Sequence, residues 1–232
     1  MKRIFTILSS GILLWSCNPK LSSGLRKNDL NRDVEMVTDK GILVIRLSDS
    51  TLLHRDNFLK LVKQKFYDSI LFHRVIQNFM VQTGDPDTKP SSGQAPRNGQ
   101  NINTIPAEFR LSLFHKRGAI AAARTGDDVN PLKASSGSQF YIVQGRLFSD
   151  AGLDSIEKFR LNGRKLLLTQ REVYKTIGGA PHLDQNYTVF GEVVKGLEVI
   201  DSIAAVKTNG QDGGDRPLKE VRILRTTLIK RN

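Results

Sequence analysis

FHRVIQNFMVQTGD, residues 72–85, places one arginine among apolar side chains, with no carboxylate close by in sequence until Asp85. Phe72, Val75, Ile76, Phe79, Met80 and Val81 are the residue types that line a core or an apolar cup. Arg74 and Gln82 add polar donors that such a surface must either satisfy or use. Phe72, Val75 and Ile76 are read as core, together with Phe140 further along, and His73 as a structural histidine.

Two more blocks follow in order: GAIAAARTGDDVNPLKASSGSQFYIVQG at 118–145 and PHLDQNYTVFGEVVKGLEVID at 181–201. Together with 72–85 they resemble the signatures of the cyclophilins, peptidyl-prolyl cis-trans isomerases, over about residues 34–229 apart from one insertion. The resemblance implies a mainly β fold, a closed antiparallel eight-stranded barrel capped by two helices. It implies isomerisation of X-Pro bonds in proline-containing polypeptides, with no cofactor. Position by position, Arg74 resembles the catalytic arginine and Gln82 the glutamine that orients it. Phe79, Met80, Tyr141 and Leu183 resemble the cup for the proline ring. Ala123, Arg124 and Gln139 resemble the groove wall, where the backbone at Arg124 would hold the residue before proline. Tyr187 stands where many members have histidine, and His182 where many eukaryotic members have tryptophan; both are carried as substrate-binding candidates. Arg124 and Tyr141 replace the commoner asparagine and phenylalanine. A binding module or holdase chaperone using the same groove without turnover is the competing function.

Around these blocks, Val34 to Val37 and Ile42 to Leu47, joined by Asp39-Lys40-Gly41, predict a hairpin. His54 to Lys65 places Phe58, Leu61, Val62 and Lys65 at helical spacing. Residues 84–103, with Arg97 among small residues, have loop composition. Gly118 to Arg124 favours helix by its alanines, yet the resemblance and the adjoining Phe140-Tyr141-Ile142-Val143 make it a strand. Residues 187–194 and 220–229 are further strands, with a short helix from Leu197 to Ala204 between them. Asp150 to Ile177 is the insertion, a helical pair broken near Asn162-Gly163, with Thr169 and Glu172 as a capping signal and Gly178-Gly179 as a stop. It carries none of the matched site residues and is expected to be a solvated decoration, or else a basic surface facing a partner or membrane.

The 232-residue chain opens with Lys2 and Arg3, an apolar run from Ile4 to Trp15, Ser16 and then its only cysteine, Cys17. The run is too short to span a bilayer. Leu14-Trp15-Ser16-Cys17 resembles a bacterial lipobox, which implies a lipoprotein signal peptide over 1–17 and lipid on Cys17; an ordinary cleaved leader is the alternative. Residues 18–33 are read as a flexible tether and 34–232 as the isomerase domain, placed at the cell envelope and facing the periplasm. The formal charge of +12 falls to about +10 without Lys2 and Arg3, and it is scattered, so nucleic acid is not an expected partner. Four dispersed histidines predict no metal site, and a monomer is expected.

Overall fold

Residues 32–47 alternate buried and more exposed side chains, and they form the predicted hairpin: β1 (Arg32–Thr38) and β2 (Gly41–Leu47), with Val34 opposite Ile45. The structure, a computed structural model, describes residues 24–90 and 104–231. Six more strands follow: β3 (Arg74–Ile76), β4 (Met80–Thr83), β5 (Ala119–Ala122), β6 (Phe140–Val143), β7 (Val189–Lys195) and β8 (Ile223–Lys230). They form one antiparallel sheet in the order β3-β4-β6-β5-β7-β2-β1-β8.

The sheet curls into a half-barrel, which corrects the expected closed barrel, because its edge strands β3 and β8 share no ladder. In β3 the Val75 amide donates to the Asp215 carbonyl (2.9 Å) rather than to β8. The edges meet only ahead of β3, where Leu71 bridges Arg222 and the Ser69 and Phe72 amides donate to the Ile223 and Val221 carbonyls.

Period two gives the central strands two buried faces. Ile120, Ala122, Phe140 and Ile142 face the main core, whereas Ala119, Ala121, Tyr141 and Val143 face a second cluster containing Met80. The alanine-rich segment is therefore a strand whose small side chains let layers approach on both sides. Helix α1 (Leu52–Lys63) buries His54, Phe58, Leu59 and Val62, and Phe58 packs on Tyr67 and Phe140 with ring centroids 5.0 and 5.2 Å away. Lys65, counted on the helical stripe, lies beyond the helix at φ +54°.

The stretch read as a tether is folded from Gly24 onward. Leu25 and Leu30 pack on the main core, and Lys63 Nζ donates to the Gly24 carbonyl (2.7 Å) and pairs with Asp29 (2.6 Å). Asp33, in β1, pairs with Arg46 at 2.8 Å. The leader 1–17 with Cys17, residues 18–23, and Arg97 lie outside the described residues.

The insertion is the expected helical pair, α2 (Asp150–Phe159) and α3 (Leu168–Thr176), broken by Asn162 and Gly163 at positive φ. Thr169 and Glu172 do not cap α3. Its first turn is closed by Gln170, whose side-chain oxygen accepts from the Leu167 amide (3.1 Å). Nor is the pair a solvated decoration. Leu153, Leu161, Leu166 and Tyr174 form a third buried cluster with Phe114 and Phe148, and each such side chain contributes roughly 1.5–3 kcal/mol by burial. Much of its basic character is spent internally. Arg171 pairs with Asp150, Asp154 and Glu157, Lys165 with Glu157, and Lys175 with Asp150 and Glu172. Helix α4 (Leu197–Ala204) buries Val199, Ile200 and Ile203.

Candidate active site

Antiparallel register builds the site. Arg74 pairs with Gln82 across β3 and β4, and Gln82 pairs with Tyr141 across β4 and β6, so the three share one face as neighbours. With Phe79, Met80, Ala123, Arg124, Leu183 and Tyr187 they line a groove of about 350 Å³, above the second hydrophobic cluster. Nine of the eleven candidate residues from the sequence thus come together.

The remaining two stand just behind. Gln139 accepts from Gln82 Nε2 at 3.2 Å, and its carbonyl receives the Ala123 amide at 2.9 Å, so it braces the wall. His182 packs its ring against Phe79, with centroids 5.2 Å apart, outside the lining of the groove. Burial, then the nearby Arg160 cation, lower its pKa to about 4, leaving the ring neutral at pH 7.

Arg74 is 44% exposed at the groove, and its Nε lies 3.6 Å from Asp215 Oδ2. Arg124 is committed to structure: Nε donates to the Asn186 carbonyl (2.8 Å), Nη1 pairs with Asp127 (2.6 Å), and the guanidinium covers the Tyr187 ring at 4.5 Å. Tyr141 is 5% exposed, and burial first, then Tyr187 and Asp184, raise its pKa well above the usual phenol value. Its hydroxyl lies 3.0 Å from His115 Nε2.

Sequence reasoning missed His73, Gly214 and Asp215. His73 and Gly214 line the groove, and burial lowers the His73 pKa. Gly214 and Asp215 sit in a glycine-rich loop far from the blocks, and only its composition hinted at a turn. Among the described residues no group of three or more His, Cys, Asp or Glu is placed to hold a metal. The arrangement offers an apolar cup with one partly exposed, multiply donating cation at its side.

Residues 33–228 match the family model described as cyclophilin type peptidyl-prolyl cis-trans isomerase/CLD. Relatives from Staphylococcus haemolyticus and Staphylococcus aureus, both named as peptidyl-prolyl cis-trans isomerases, are 32% identical over 204 residues, covering 88% of this chain and 93% of theirs. A crystal structure of a Cryptosporidium parvum cyclophilin type isomerase superimposes with a TM-score of 0.61 at 20% identity, covering 87% of this chain and 99% of that one. The same protein in the presence of the dipeptide Ala-Pro gives 0.60 at 19% identity, covering 86% and 99%.

Proposed function

The chain belongs to the cyclophilin-type peptidyl-prolyl cis-trans isomerases, and we propose that it turns the X-Pro bonds of exported polypeptides while anchored to the cell envelope by lipid on Cys17. The observation that carries the chemistry is Arg74 beside the apolar cup of Phe79, Met80, Tyr141 and Leu183.

An X-Pro bond prefers trans only slightly, but its rotation barrier is about 18–20 kcal/mol, so exchange takes tens to hundreds of seconds. Twisting breaks the amide resonance and returns a lone pair to the prolyl nitrogen. A donor aimed at that nitrogen therefore binds the twisted state in preference to the planar one. The Arg74 guanidinium is always charged, planar and multiply donating, and suits that task. The cup holds the proline ring, and the wall at Ala123 and Arg124 holds the preceding residue, so that only one side of the bond turns. Acceleration by about five decades needs about 7 kcal/mol. One preorganised donor contributes roughly 3–4 kcal/mol, and positioning supplies the rest.

The envelope placement is supported by the Lys2-Arg3 start, the short apolar run and the single Cys17 behind it. Among the described residues no helix is long and apolar enough to cross a membrane; the proposed attachment is by the N-terminal segment. The deciding experiment follows cis-to-trans exchange of a short Ala-Pro peptide with the purified mature chain. Exchange accelerated by orders of magnitude is expected. Suppressed aggregation of an unfolded client without any acceleration would replace catalysis by holding.

A further inference from the structure

Four buried side chains run from the insertion to the floor of the groove. Tyr174, fully buried in α3, donates its hydroxyl to Asp184 Oδ2 at 2.7 Å. The other carboxylate oxygen, Oδ1, accepts from the His115 backbone amide (2.9 Å) and from His115 Nδ1 (2.8 Å). The opposite ring nitrogen, Nε2, faces the Tyr141 hydroxyl at 3.0 Å. A carboxylate oxygen accepts, so the ring hydrogen sits on Nδ1. In the neutral ring Nε2 is then the acceptor for the hydrogen of Tyr141, which burial keeps protonated.

Exposure along this chain is 0% at Tyr174 and His115, 2% at Asp184 and 5% at Tyr141, so no solvent competes for its bonds. Asp184 also directly follows Leu183, a second wall of the cup, and Arg164, from the loop between α2 and α3, donates to the Asp184 carbonyl. Gly179, at φ +157°, lets the end of the insertion lie against the barrel: a Cβ there would collide with the His115 carbonyl and the Tyr174 ring. The inserted helices and the groove therefore share one hydrogen-bonded unit. A phenylalanine at 141 would need no such partner; the Tyr141 hydroxyl does.

We propose that the inserted helical pair is a positioning element of the prolyl groove. Tyr174, acting through Asp184 and His115, fixes the tilt of the Tyr141 ring and with it the seat of the proline. This deepens, and rests on, the reading of the groove as the isomerase site. Without the Tyr174 hydroxyl, Oδ2 loses its donor in a closed site, and Asp184 and the His115 ring turn to find another.

The test is a double-mutant cycle of Tyr174→Phe and Tyr141→Phe in the full mature chain. It is read as kcat/KM on an Ala-Pro peptide, as affinity for that peptide by NMR titration, and as the ¹⁵N shifts of the His115 ring. Tyr174→Phe is expected to shift the His115 ring nitrogens and to lower kcat/KM about three- to tenfold, within the range of coupled contacts. In the Tyr141→Phe background it should cost almost nothing more. Multiplying effects, or an unchanged kcat/KM with unshifted ring nitrogens, overturn the proposal. If Tyr174→Phe does not fold, Asp184→Asn enters the same cycle with the same two outcomes. A wild-type chain that binds the peptide without turning it over overturns the isomerase reading alone, and the cycle in affinity then decides the inference. Absence of binding overturns both.

Discussion

Arg74 reaches the groove from a strand only three residues long, partly exposed, with Asp215 Oδ2 3.6 Å from its Nε. A contact this long to a guanidinium this exposed contributes little to stability; its value is in aiming the guanidinium. If Arg74 meets the prolyl nitrogen only when the bond is twisted, Arg74→Ala should cut turnover on an Ala-Pro peptide by roughly two to three decades, the usual cost of one transition-state donor. Peptide affinity should fall far less, since the planar nitrogen has no lone pair to offer. Arg74→Lys should recover only part of the loss, because a flexible ammonium lacks the fixed fork. Exchange kinetics on variants shown by circular dichroism to be folded check this, and near wild-type turnover in Arg74→Ala would end the mechanism. At this scale the site was legible where strand register carries it: Arg74, Gln82 and Tyr141 lie on strands of the quoted blocks, and pairing makes them neighbours. Asp215 was not, because a loop returning from far along the chain leaves no periodic mark. His115 was not either, since its partners Asp184 and Tyr141 sit in different blocks and nothing in the string pairs them.

Elements were legible where side-chain pattern and packing agree. The hairpin of β1 and β2, helix α4 and the break at Asn162-Gly163 follow directly from alternation, helical spacing and turn residues. β5 shows propensity overruled: its alanines favour a helix, but burial of both faces between two clusters makes small size the controlling property. The T-x-x-E signal in α3 failed because a capping string describes one possible helix start, and Gln170 closes a different one. The insertion was misjudged because the surface its apolar residues cover, Phe114 and Phe148, lies outside it in sequence, and nothing in the string pairs the two. At the junction between insertion and half-barrel, a Cβ on Gly145 would strike the Gly179 backbone and one on Gly179 would strike the His115 carbonyl and the Tyr174 ring, and Gly179 exchanges both backbone bonds with Arg146. Gly179→Ala should therefore destabilise the fold by more than about 1 kcal/mol, beyond the small gain expected from stiffening the unfolded chain. Thermal unfolding checks it, and an unchanged or raised midpoint would show that the junction tolerates separation.

For the whole molecule, the folding of Gly24 to Asp33 onto the domain changes the geometry of anchoring. A tether of residues 18–33 would span at most about 55 Å, whereas residues 18–23 alone span at most about 20 Å. A lipid on Cys17 would then hold the domain close to the bilayer, where a scattered net charge near +10 meets anionic headgroups. Two sources of adhesion follow, and they answer differently to salt. Charge attraction contributes about 1 kcal/mol per Lys or Arg near the surface and fades within a Debye length, which shrinks to about 3 Å at 1 M salt. Acyl chains are held by burial, and two or more of them anchor stably regardless of ionic strength. Wild-type protein should accordingly stay with membranes in 1 M salt and leave in detergent, and the mature N-terminus should be a lipid-modified Cys17 by mass spectrometry. Cys17→Ser should appear in the soluble fraction or remain unprocessed. Release of the wild type by salt alone, or the same lipid-free mature product from both forms, would overturn lipidation and leave the basic surface as the only hold on the membrane.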